Sequence, residues 1–223
     1  MENLHLLYML LVCYLSYFLI TWRGKIAGYH NLKEAVKTDQ GFYSLIRKYV
    51  LGILILGLPF SFSQKYNFLV NKMPDFSENN IGIYWILLLF FSVAIASAST
   101  KKISFDITSS LSLQQSTDPY LFLAIRVLFL FIYELYFRGF LLFSLIPILG
   151  LTPAIIASTL LYAIQHIFDS KKELLSCIPF GICVCILSYL TLSIWPAFII
   201  HSCIAVICEG NLLFKLKLKS NRI

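Results

Sequence analysis

The sequence predicts an all-α, polytopic transmembrane bundle of about seven spans, with a polar cavity among spans four to seven. Three observations predict it. Charged residues make up 13% of the 223-residue chain and hydrophobic ones 59%, whereas a soluble domain carries roughly 25% charged residues. The apolar residues sit in long runs and not at the spacing of a one-sided helix. Those runs approach the roughly 20 residues that a spanning helix needs. Candidate spans are 4–22, 49–64, 81–99, 119–146, 152–168, 174–191 and 194–214.

The basic residues fall between the spans in an ordered way. Arg23, Lys25, Lys33, Lys37, Arg47 and Lys48 follow the first span, Lys101 and Lys102 the third, Lys171 and Lys172 the fifth, and Lys215, Lys217, Lys219 and Arg222 the last. Only Lys65 and Lys72 lie in the alternate connections. The positive-inside rule then places the N-terminus outside and the C-terminus in the cytoplasm. The net charge of +7 therefore reads as a topology signal at an anionic surface and not as a nucleic-acid footprint.

Met1–His5 lack a basic n-region and Trp22 is followed by Arg-Gly-Lys, so the first span is expected to be retained and not cleaved. Residues 25–48 mix Tyr29, Leu32, Val36, Phe42, Leu45 and Ile46 with charges, which predicts a pair of interfacial helices on the inner surface. The cysteines Cys13, Cys177, Cys183, Cys185, Cys203 and Cys208 all lie in apolar runs without CxxC spacing and read as buried thiols.

Ionisable residues inside spans are the candidates for chemistry. Span four carries Arg126, Glu134 and Arg138, span five Gln165 and His166, and span seven His201 and Glu209. A charge at bilayer depth costs about 2.5–3.5 kcal/mol on insertion scales, so such groups face the bundle interior and pair. Glu134 and Arg138 are four apart and share a face; Arg126 and Tyr133, seven apart, share another. Each residue alone reads equally as a neutralising pair or a hydrogen-bonded core histidine. Together, a carboxylate beside a histidine can activate water, and a second histidine can donate to an oxyanion.

Three stretches carry a resemblance. Tyr133-Glu134-Leu135-Tyr136-Phe137-Arg138 resembles an EExxxR motif, Tyr162-Ala163-Ile164-Gln165-His166 an FxxxH motif, and His201-Ser202-Cys203-Ile204-Ala205 an HxxxN motif. Trp195-Pro196-Ala197 and Pro179-Phe180-Gly181 fit their surroundings. The order and placement resemble the CPBP family, also called Abi or CAAX-protease-like, of intramembrane endopeptidases. The resemblance covers roughly 118–208 and divides the chain into 1–117, 118–208 and a basic tail 209–223.

The family implies hydrolysis of a peptide bond in or near the membrane, with membrane-embedded or lipidated peptides or proteins as partners and a bacterial plasma membrane as location. It implies Glu134, His166 and His201 as catalytic residues and Arg138 as support. Two positions depart from it. Tyr133 replaces the first glutamate, the family's general base, and Ala205 replaces the asparagine that helps His201 hold the oxyanion. An alternative is a catalytically impaired relative that binds a membrane peptide or partner in an immunity or regulatory role. A small transporter is a third reading, disfavoured by the lack of repeats. Glu134, His166 and His201 also form a candidate set for a catalytic zinc, which would leave no spare carboxylate as base; the residues fit zinc and no metal equally. Helix rise sets His201, 6 residues from Trp195, roughly 10 Å shallower than Glu134 and His166, each 13 residues from a proline. An earlier hinge, or a re-entrant segment near 188–196, would close that gap.

Overall fold

The structure, a computed structural model, describes residues 2–74, 80–108 and 118–220. Among these residues every element is helical. The order is α1 (Glu2–Ile26), α2 (Leu32–Ala35), α3 (Asp39–Phe62), α4 (Phe68–Asn71), α5 (Ile81–Thr108), α6 (Pro119–Glu134), a π-helical segment (Leu135–Leu141), α7 (Leu142–Leu149), α8 (Leu151–Gln165), α9 (Lys171–Thr191) and α10 (Trp195–Ser220). Arg222, counted above with the basic tail, lies outside the described residues.

Among the described residues six helical stretches are long and apolar enough to cross a membrane, the longest being the continuous run Pro119–Leu149. This is an integral membrane protein. The fifth expected span is α8, and it is only 15 residues long. At about 1.5 Å per residue it reaches roughly 22 Å, short of the ~30 Å hydrocarbon core. It starts at a sharp reversal that Gly150 permits with φ 82°. It stops at His166, where Asp169 N–H turns back to the His166 carbonyl.

The expected pair of interfacial helices is not what residues 25–48 form. One short helix, α2, is followed by the first turns of α3. The mixed polarity has a different cause: Leu32, Val36, Phe42 and Leu45 are buried in the main core. Lys33 Nζ reaches Glu173 Oε1 at 3.4 Å and the Tyr120 ring meets Phe214 at 5.4 Å. These contacts gather the basic segments after α1, before α9 and at the end of α10 on one end of the bundle. Lys65 and Lys72 flank α4 at the opposite end, where Ser193 donates to the Lys72 carbonyl at 2.9 Å.

That opposite end explains the depth of His201. The turn between α9 and α10, Leu192–Ile194, is not at the bundle surface. Ser193 and Ile194 are fully buried, and a Cβ on Gly139 would lie 3.6 Å from Ile194 and 3.7 Å from Leu69. The turn is thus sunk to the level of Gly139, ten residues and about 15 Å along the helix from Leu149. The α4 segment anchors it: the Ile194 backbone N–H donates to the Leu69 carbonyl at 3.1 Å and the Trp195 indole Nε1–H to the Val70 carbonyl at 2.8 Å. Leu192, itself exposed, adopts the left-handed region at φ 47° where the chain enters the buried Ser193–Ile194 pair, a conformation a free turn would give to glycine. The expected depth difference is closed by this sunken turn.

Candidate active site

Glu134 is the last residue of α6, immediately before the π-helical segment. A π turn inserts an extra residue and resets which side chains face inward, and such turns recur at functional sites. Here Phe137 O, displaced from the α-helical ladder, also accepts a hydrogen bond from Ser158 Oγ at 3.0 Å. Tyr136 Oη donates to the Leu10 carbonyl at 2.5 Å, which ties α1 to the same segment. Behind it, α8 and α9 approach closely at Gly181, where a Cβ would lie 2.9 Å from Thr159 Cγ2.

Glu134 and Arg138 are both completely buried. Glu134 Oε2 lies 3.2 Å from Arg138 Nε, and Glu134 Oε1 lies 2.5 Å from His201 Nδ1. The Arg138 guanidinium also stacks 4.1 Å from the Tyr162 ring centroid. The i, i+4 pair expected on span four is therefore present, and His201 joins it as a third member. The contact uses His201 Nδ1, which leaves Nε2 as the free ring nitrogen.

His166 is placed elsewhere. It caps the end of α8, and its Nδ1 lies 2.9 Å from Asp169 Oδ2. The other Asp169 oxygen lies 3.5 Å from His30 Nε2, and His30 Nδ1 meets Glu34 Oε2 at 2.7 Å. Burial disfavours the Asp169 carboxylate. The hydrogen bond from His166 and the charges of His166, His30 and Lys48 outweigh that and hold its pKa below the usual carboxylate range. Burial opposes the Glu34 carboxylate too, and the charge of His30 and the Lys25 contact likewise lower its pKa. Asp169 has no place in the three motifs; its only sequence signal is an acid three residues after a histidine.

Both histidines line one cavity of about 630 Å³, within the usual range for ligand pockets. Tyr162 stands between them, 5.0 Å from the His166 ring and 6.3 Å from the His201 ring. Tyr133 and Ala205 are on the cavity wall, whereas Glu134 and Arg138 lie behind it. Tyr133 packs among Phe129, Phe137 and Tyr162 at 5.4, 4.6 and 5.8 Å. The cavity is broader than spans four to seven, because α1, α3 and α5 contribute Tyr17, Lys48 and Phe91 to it. Arg126, on the face of Tyr133, is already paired: its Nε lies 3.0 Å from Glu209 Oε1.

Glu134, His166 and His201 do not gather as a metal ligand set. Among the described residues no three His, Cys, Asp or Glu side chains converge in that way. The Glu134 carboxylate is engaged by His201 Nδ1 and Arg138, behind the cavity wall that His166 and His201 line. No chemical step is therefore routed through a metal.

Residues 115–207 match the profile of the family described as Type II CAAX prenyl endopeptidase Rce1-like. The match spans less than half of the chain and contains all three motifs, so the CAAX-protease-like resemblance is borne out over that region. No curated protein and no solved structure matches the chain.

Proposed function

We propose that this protein is an intramembrane endopeptidase that works through two carboxylate–histidine pairs, His166–Asp169 and His201–Glu134. The observation that carries this reading is that both histidines face one cavity, each held at Nδ1 by a carboxylate at 2.9 and 2.5 Å. A carboxylate on Nδ1 fixes the ring and leaves Nε2 for chemistry. Asp169 then supplies the acidic partner that Tyr133 does not.

In this reading His166 Nε2 takes a proton from water, and the resulting hydroxide attacks the substrate carbonyl carbon. His201 keeps Nδ1 on Glu134 and presents Nε2 to the carbonyl oxygen, where it serves as oxyanion donor in its protonated form. The proton on His166 passes to the leaving amide nitrogen, the C–N bond breaks, and a carboxylic acid and an amine result. Base and oxyanion donor each need to come within about 3 Å of the reacting atoms. The mostly apolar cavity suits a membrane-embedded or lipidated peptide.

Purified protein incubated with a lipidated C-terminal peptide and with a panel of apolar membrane peptides tests this. Cleavage is expected, and His166→Ala should lower it by about 10²–10⁴-fold. Cleavage that survives His166→Ala would overturn the assignment.

A second reading rests on Tyr133 and Ala205, which fill two of the family's chemical positions on the cavity wall. The protein would then be a non-cleaving relative that holds a membrane peptide. Peptide binding without any cleavage, unchanged by His166→Ala, would support it over the first.

The orientation follows the charge distribution. The end carrying Lys25, Lys33, Lys171 and Lys215 faces the cytoplasm, as the positive-inside rule requires. A reporter fused to the C-terminus is expected inside and one inserted near Lys72 outside. Finding both on one side would contradict an odd number of crossings.

A further inference from the structure

The inner half of the cavity holds more positive charge than its carboxylates neutralise. Three acids line it, and each is committed: Asp169 to His166 and His30, Glu173 to Lys33, and Glu209 to Arg126. Two cations that line it, Lys48 and Lys215, have no carboxylate partner among the described residues.

Lys48 is the telling one. Its side chain is buried at 6% exposure, on α3 about nine residues inside Asp39, and its Nζ has one hydrogen-bond acceptor, the His30 carbonyl at 2.6 Å. An ammonium carries three donors, so two remain for a ligand. Tyr49, the next residue, lies under the Arg126 guanidinium at 4.7 Å, and Arg126 links to Glu209 on α10. Lys215 sits six residues further along that helix. Lys48, the Arg126–Glu209 pair and Lys215 thus form one continuous wall at the end of the bundle that carries the basic loops. Beside them α5 contributes an apolar strip of Leu88, Phe91, Ile95 and Ala96, with the hydroxyl residues Ser92, Ser99 and Thr100 among and beyond it; the strip is acyl-compatible and the hydroxyls suit a headgroup.

We propose that this part of the cavity binds an anionic phospholipid of the inner leaflet, its phosphate on Lys48 and Lys215 and an acyl chain along α5. Basic pockets between transmembrane helices on the cytoplasmic side have the charge and depth that lipid headgroups need. A buried ammonium with one acceptor is stabilised when a phosphate supplies the rest. The proposal concerns binding and does not depend on the peptidase reading.

The test is competition between phosphatidylglycerol and phosphatidylcholine, offered at equal amounts to purified protein in mixed micelles, with bound lipid counted by native mass spectrometry. Phosphatidylglycerol is expected to be preferred, by about fivefold for each cation involved. Lys48→Met should lower the preference about fivefold, and the double substitution with Lys215→Met should bring it close to parity. Lys215→Met, at a half-buried position, should weaken it and keeps the test readable if Lys48→Met does not fold. Lys217→Met, outside the cavity, should change nothing. Equal binding of the two lipids, or a preference that survives both Lys48→Met and Lys215→Met, would overturn the proposal. So would equal lipid binding combined with a Lys48-dependent preference for a tetrapeptide with a free C-terminal carboxylate over its amide, which would assign the cations to a peptide.

Discussion

Glu134→Gln is expected to unfold the protein and not merely to inactivate it. Arg138 is fully buried, and among the described residues none of its guanidinium nitrogens has a well-aligned hydrogen-bond acceptor. Its charge is balanced by Glu134 at 3.2 Å and by the face of Tyr162. A neutral amide removes the only anion in that set. Breaking a buried ion pair from one side costs about 3–5 kcal/mol, because the other charge is left uncompensated. Removing both charges, as Glu134→Gln with Arg138→Met, should recover most of the loss, since the pocket then holds no lone ion. Thermal unfolding in detergent reads this directly. A single mutant as stable as the unaltered protein would mean that Arg138 is neutralised in some other way.

Asp169→Asn is the second substitution with a large expected effect, and its effect should fall on chemistry. Asp169 does not touch the reacting atoms; it positions His166 through Nδ1. An asparagine there can present its N–H₂ to Nδ1 and favour the wrong tautomer, so that Nε2 carries the proton and cannot accept one. In the peptidase reading kcat should fall by about 10²–10⁴-fold with KM little changed, because asparagine keeps the size and shape of Asp169 in the cavity lining. A merely structural role would instead lower the amount of folded protein and leave kcat per folded molecule intact. The acid dependence can be placed as well. The folded pKa of Asp169 is depressed, so its stabilising contribution is fully present above the unfolded value of about 3.9. That contribution is lost only as pH falls through the lower folded value. Loss of stability near neutral pH would have to come from another group.

Much of the architecture was legible because the bilayer imposes it. Apolar runs of near-spanning length located the six long apolar helices of the described residues and the shorter α8, and the Glu134–Arg138 pair followed from two charges four residues apart on one of them. Partnerships between distant helices were not legible. Glu209 was visible as a buried acid, yet nothing in the sequence says that Arg126, 83 residues earlier, is its partner. Asp169 was hidden for a different reason: it lies in a connecting loop, where an acid is unremarkable. Its value comes from the short α8, which brings the loop into the cavity. The depth of His201 could not be read either, because counting residues from Trp195 assumes that the preceding turn lies at the surface.

That sunken turn bears on how the polypeptide is assembled. The donors of Ser193, Ile194 and Trp195 are satisfied by carbonyls of Lys72, Leu69 and Val70, which are synthesised more than 120 residues earlier. Until that earlier strip is in place, the last hairpin holds the backbone N–H of Ile194 and the side-chain donors of Ser193 and Trp195 unpaired in a water-poor setting, where each such group is costly. The region that carries the family match is therefore not autonomous. Its closing step waits on a segment that lies outside the match, and the order of synthesis from N- to C-terminus delivers that segment first.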